Sequence, residues 1–294
     1  MYLGLSSLII SALFLATLFI EFQIYKSPSS ERLNNRKRIR SWWIILAICL
    51  PIFYLKAIPL VAFIYALSIW ACWEFSRLLT AKISLLTIMA LSAMVLIPFY
   101  LLKDDIVIGL SLLPFVVMLM AFALRHSSLL PLFSILFITS ALATLIIIAY
   151  YCELNLTCHS SSLLLYLFLM TAINDISQYV SGKLLGKTPF APKISPNKTR
   201  EGALGGIIFT SLLGMITLPF VIETISSFQA LVTAGLLSIM GIAGDLYFSY
   251  FKRKAGVKNS GESIPGHGGL LDRIDSLLFT APVFNACILI LLKG

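Results

Sequence analysis

The stretch SLLPLFSILFITSALATLIIIAY (residues 128–150) runs for 23 residues without a charged side chain. A helix needs about 20 mostly apolar residues to cross the hydrocarbon core of a bilayer, so this segment reads as a membrane span. The composition around it agrees. Of 294 residues, 59% are hydrophobic and 12% charged, whereas soluble domains carry roughly a quarter charged residues. A soluble globular fold is therefore excluded, and length counts spans instead of domains. At about 20 residues per crossing there is room for up to about ten.

Working outward, charges and turn residues divide the chain into candidate helices near 3–24, 41–58, 60–79, 84–102, 106–124, 128–150, 161–182, 202–222, 229–251 and 273–292. Pro51, Lys56 and Pro59 interrupt the second. The expected fold class is all-α, a polytopic transmembrane helical bundle of nine to ten spans. The first span, YLGLSSLIISALFLATLFIEFQIY (2–25), has no basic leader and no small-residue cleavage site, so it reads as a retained anchor. No repeat of fixed period and no low-complexity linker divides the chain. It is expected to form one integrated membrane domain, with residues 1–160 as scaffold and 161–294 as the catalytic region.

Short cytoplasmic loops are enriched in Lys and Arg. If KSPSSERLNNRKRIR (26–40) is cytoplasmic, ten alternating crossings put all 22 lysines and arginines on that side except Lys56, Lys103 and Lys293. Loops 183–200 and 252–272 then face the cytoplasm, and both termini face outward. A bacterial inner membrane is the expected location. The basic face fits contact with membrane lipid headgroups; nucleic acid is not an expected partner. The five cysteines, Cys49, Cys72, Cys152, Cys158 and Cys287, lie mostly in apolar spans, where cysteine acts as a small hydrophobe. Cys152, Cys158 and His159 leave open a loop disulfide or a weak metal site.

Three polar stretches interrupt the apolar C-terminal half. In NDISQYVSGKLLGKTPFAPKISPNKTREG (174–202), Asp175 is an intramembrane carboxylate that needs a partner, and helical spacing puts Tyr179 and Gly182 on its face. GKLLGKT is not a phosphate-binding loop, because three residues instead of four separate its glycines and Pro189 follows. Ser195 is a favoured N-cap and Pro196 a favoured first helical residue, so a helix is expected to start there. Lys198 would then face any anion at that end, and a plain capped helix explains the same residues.

In GDLYFSYFKRK (244–254), Asp245, Ser249 and Lys252 line one stripe of a helix. Snorkelling explains Lys252 to Lys254, but not Asp245. In IPGHGGLLDRID (264–275), Asp272 and Asp275 are spaced to converge on one cation. Gly266, Gly268 and Gly269 leave main-chain N–H groups open to phosphate. An esterase oxyanion hole is disfavoured, since no G-x-S-x-G elbow accompanies HGG. Four carboxylates with many cations and no activated Ser or Cys nucleophile suit a hard ion, Mg²⁺ before zinc. The chemistry inferred is phosphoryl or nucleotidyl transfer to a lipid.

SYFKRKAGVKNSGESIPGHGGLLDRID (249–275) resembles the long C-terminal motif of the phosphatidate cytidylyltransferases, and residues 174–206 are similar to that family's second motif region. The resemblance implies Mg²⁺-dependent transfer of a cytidylyl group from CTP to phosphatidate. It implies that Asp245, Asp272 and Asp275 hold the metal and that Lys198, Lys258 and Arg273 neutralise phosphate. It further implies substrate roles for Ser195, Thr199, His267, Lys252, Arg253, Asp175 and Lys187. The lipid phosphate has a second pKa of about 6, so it is already a nucleophilic dianion near neutral pH. Asn259, Asn197 and Gln178 depart from the residues usual in the family. A paralogue or a CTP-dependent kinase acting on another lipid, and an ion-coupled transporter, are the competing readings. A homo-oligomer is compatible with the sequence but not specified by it.

Overall fold

The computed structural model describes residues 57–81, 83–101, 107–123, 128–154, 160–264 and 268–293, with isolated positions nearer the N-terminus. Most of the expected spans 3–24 and 41–58, His267, and the Cys158 and His159 pair lie outside the described residues. The elements in order are α1 (Ala57–Leu78), α2 (Leu85–Leu101), α3 (Val107–Ala123), α4 (Leu130–Leu154), α5 (Ser160–Leu185), β1 (Pro189–Ala191) and β2 (Ser195–Thr199). They continue with α6 (Arg200–Thr217), a 3₁₀ turn at Leu218–Phe220, α7 (Ser227–Lys254), the one-turn α8 (Leu271–Ile274) and α9 (Leu277–Lys293).

Among the described residues, six helical segments are long and apolar enough to cross a membrane. They are α1, α4, α5, α6 with its 3₁₀ turn, α7, and α8 continued into α9. Helices α2 and α3 have 17 residues each, at the short end of what spans a bilayer. The mostly helical architecture is as expected, but a count of nine or ten is not reached among these residues. Pro59, expected to separate two spans, sits in the first turn of α1, where a missing N–H costs nothing.

Helix α4 is the centre of the bundle: 78% of its span is buried inside the protein, against 22% for α6. Several polar side chains in these helices are satisfied by nearby groups, as an apolar solvent favours. Ser68, Ser76 and Ser134 each donate to the carbonyl four residues back. Cys72 and Ser92 both reach Thr139. A plug of rings ties four helices together: Phe75 of α1 meets Phe248 and Phe251 of α7 at 5.6 and 5.4 Å. Phe137 of α4 meets Tyr247 at 5.8 Å and Phe279 of α9 at 5.5 Å. Edge-on geometry of this kind adds to the area buried.

Helices α5, α6 and α7 approach more closely, through small residues. A side chain at Gly214 would overlap Ala234, and a Cβ at Gly241 would lie 2.8 Å from Asn174 Nδ2. Across that seam Ser238 Oγ donates to Asn174 Oδ1 at 2.5 Å. Small residues with a polar pair are how helices associate where lipid removes the hydrophobic driving force. Helix α7 begins at a reciprocal cap, with Gln229 N–H donating to Ser226 Oγ and Ser226 N–H to Gln229 Oε1.

The segment expected to open a helix at Ser195 is extended instead. Strand β2 pairs antiparallel with β1, Ala191 opposite Ser195 and Pro189 opposite Thr199, so the all-α expectation is corrected by one small hairpin. The cap is Thr199, whose Oγ1 accepts the N–H of Gly202 at 3.1 Å. Pairing occupies the main chain at Ser195, and Pro196, lacking an N–H, is tolerated in a strand with an open edge. Four residues on, at the end of the strand, the Thr199 hydroxyl starts α6.

Candidate functional site

Helix α5 contributes Asp175, α7 contributes Asp245 and Lys252, and the α8 turn contributes Asp272, Arg273 and Asp275. Lys252 is not a snorkelling lysine. It is 7% exposed, and its Nζ lies 2.8 Å from Asp272 Oδ1 and 3.5 Å from Asp275 Oδ2. The two aspartates do converge on one cation, and in this structure that cation is an ammonium. Lys198, at the end of the hairpin, reaches Asp245 Oδ2 at 2.5 Å, while Ser249 Oγ donates to Asp245 Oδ1 at 3.1 Å. The stripe expected along α7 is thus realised.

Asp175 is exposed in the protein alone and feels the charges of Asp245, Lys198 and Arg273; Asp275 in turn feels Asp245, Lys252 and Asp175. Four carboxylates and three cations from separate chain segments therefore form one electrostatic cluster. The expected partner of Asp175 on its own helix, Tyr179, instead turns outward, 68% exposed, beneath Lys183.

The loop between α7 and α8 is folded around acceptors. Asp272 Oδ2 takes the N–H of Ser260 at 2.8 Å and of Gly269 at 3.0 Å. Ile264 N–H donates to the Gly268 carbonyl at 2.8 Å, and Gly268 adopts φ +89°, a left-handed conformation natural to glycine. A second acceptor comes from the N-terminal half. Glu74 of α1, 3% exposed, accepts the N–H of Leu270 at 3.0 Å and of Leu271 at 2.9 Å, and the hydroxyls of Ser260 and Ser263. Residues 1–160, expected to serve as scaffold, thus supply one buried carboxylate to this loop. The signal was present: a lone carboxylate in the apolar run WACWEFSRLL (70–79) has the same standing as Asp175 or Asp245.

The remaining expected site residues are placed as follows. Arg253 Nε donates to the Ile194 carbonyl at 3.1 Å and Nη1 to that of Val257 at 2.8 Å, pinning the hairpin to the end of α7. The N–H groups of Lys187 and Thr188 are held by Glu201 Oε2, both at 3.1 Å; the Lys187 side chain is exposed. Ser195 is half-buried in β2, and Lys258 and Arg273 are exposed. Thr199 spends its hydroxyl oxygen on the α6 cap.

Asp245, Asp272 and Asp275 are oxygen donors of the kind a hard divalent cation takes. Among the described residues no three acidic, His or Cys groups stand together as metal ligands. Mg²⁺ commonly takes one or two carboxylates and completes its shell with substrate phosphates and water, so the donor set fits that ion and not one caged by protein alone.

Residues 36–291 match the model of a family described as the cytidylyltransferase family. The chain is 49% identical over 122 residues to the uncharacterized protein YnbB of Escherichia coli, covering 42% of this chain and 41% of that one. It is 47% identical over 118 residues to a phosphatidate cytidylyltransferase of Helicobacter pylori, covering 40% and 44%. With the phosphatidate cytidylyltransferase of Staphylococcus haemolyticus it shares 45% over 122 residues, covering 42% and 47%. The matched segment thus spans less than half the length of these curated relatives.

Proposed function

The chain belongs to the cytidylyltransferase family, and on that premise we propose that it transfers the cytidylyl group of CTP to phosphatidate. An oxygen of the lipid phosphate attacks the α-phosphorus of CTP; the bond from that phosphorus to the bridging oxygen breaks, and pyrophosphate leaves with CDP-diacylglycerol as the other product. The observation that carries this reading is the cluster of Asp175, Asp245, Asp272 and Asp275 with Lys198, Lys252 and Arg273. Its groups match what the reaction needs: cations for phosphate oxygens and carboxylates for a metal. The lipid nucleophile is already ionised, so positioning and charge neutralisation are the work required of the protein.

One or two of Asp245, Asp272 and Asp275 would hold Mg²⁺, with substrate phosphates and water completing its shell; the ion supplies charge neutralisation on the phosphates when bound. Lys198 and Lys252 keep these carboxylates in balance and are available to phosphate oxygens beside them. Exposed Lys258 and Arg273 extend the positive surface outward; Ser195, Lys187 and His267 are the remaining candidates to orient the nucleotide. Arg77 at the end of α1, the hairpin and the 252–273 segment gather at one end of the bundle, joined through Glu74 and Arg253. By the distribution of basic residues we assign that end to the cytoplasmic face of a bacterial inner membrane.

The test is the fate of label from CTP incubated with purified protein, Mg²⁺ and phosphatidate in detergent. Label in the α-phosphate is expected in the lipid, and label in the γ-phosphate in pyrophosphate. Lipid labelled from the γ-phosphate would make the chain a kinase, and no labelled lipid from either would refute the reading.

A further inference from the structure

We infer that Glu74 is a positioning residue: a carboxylate of α1 that sets the conformation of loop residues 258–264 and 268–271 and, through them, the nucleotide phosphates. This rests on the proposed cytidylyl transfer for its kinetic consequence but not for its structural one. The hydrogen bonding is two-sided. Oε1 takes the N–H of Leu270 and the hydroxyl of Ser263; Oε2 takes the N–H of Leu271 and the hydroxyl of Ser260. Both ends of the loop thus close on one side chain. A Cβ on Gly269 would fall 2.6 Å from Glu74 Oε2 and 2.8 Å from Gly261 N, so the loop backbone is pressed against the carboxylate.

The carboxylate is itself fixed. Its neighbour Phe75 is wedged edge-on between Phe248 and Phe251, so α1 cannot slide along α7 without breaking the ring plug. Buried ions are retained only where hydrogen bonds replace water, and four donors do so here. The ordered loop then delivers the N–H groups of Ser260 and Gly269 to Asp272, which reaches the Lys252 amine through its other oxygen. Glu74 touches none of the groups assigned to substrate, and its effect must pass through the loop.

Replacing Glu74 with glutamine keeps the shape but leaves one oxygen. Serine hydroxyls can turn to donate or accept; the N–H of Leu270 or of Leu271 cannot, and one of them loses its acceptor. In Glu74→Gln, hydrogen exchange at Gly269–Leu271 is expected to quicken about tenfold, with α7 and α9 unchanged, because local opening is read directly from amide protection. The KM for CTP is expected to rise about tenfold while the KM for phosphatidate holds, since displaced groups lose their alignment. Glu74→Asp, with both oxygens, should restore part of each. Ser263→Ala, at an exposed position, removes one donor and should raise the KM for CTP about threefold; it remains informative should Glu74→Gln fail to fold. Unaltered exchange at Gly269–Leu271, or a loss of Vmax with both KM values unchanged, would overturn the inference. If the wild type does not consume CTP at all, the functional reading fails and exchange alone decides the role of Glu74.

Discussion

Gly268 and Gly256 both have positive φ, +89° and +74°, but their surroundings differ. A Cβ on Gly268 would lie 2.9 Å from Asp272 Oδ2, whereas nothing lies within 4 Å of one on Gly256. Alanine at either position incurs about 1–2 kcal/mol of left-handed strain. At Gly268 it also pushes Asp272 off the N–H groups of Ser260 and Gly269. Gly268→Ala is therefore expected to lower kcat/KM for CTP about a hundredfold, and Gly256→Ala to stay within about twofold. Equal loss in the two would show that backbone strain, and not the Asp272 contact, matters. The same scale shows what a single sequence can disclose. Asp245 and Ser249 were legible as neighbours because helical spacing joins them. Lys252 was misread because its partners are 20 and 23 residues on, across a loop. Glu74 was missed because its donors lie 186 to 197 residues away.

At the scale of elements, the apolar helices were legible to within a few residues, since twenty uninterrupted hydrophobic positions leave few alternatives. The hairpin was not. Ser195 followed by Pro196 carries a helix-start pattern, yet Thr199 caps α6, and the choice depends on pairing with Pro189–Ala191, which no local pattern encodes. Thr199 Oγ1 also lies 3.1 Å from where a Cβ on Gly182 would be, so the cap sits in the tight seam between α5 and α6. Thr199→Ala is expected to lower stability by about 1 kcal/mol, and Thr199→Ser, which keeps the acceptor, by less. Thermal unfolding in detergent reads the difference. Equal midpoints for wild type and Thr199→Ala would show that the cap contributes nothing.

At the scale of the molecule, the two halves are interdependent. The N-terminal half supplies Glu74 and Phe75 to a site whose candidate metal- and phosphate-binding groups come from the C-terminal half, and Arg253 fastens the hairpin across the mouth of α7. Family membership covers both halves, since the match runs over residues 36–291. The central claim is that carboxylates from separate segments share one divalent cation with the phosphates of CTP. Mn²⁺ binding in the presence of CTP, followed by electron paramagnetic resonance, tests it most directly. Asp245→Asn and Asp272→Asn, each eluting as the wild type does in gel filtration, are predicted to weaken Mn²⁺ binding about tenfold or more; wild-type affinity in both would contradict a shared metal and phosphate site.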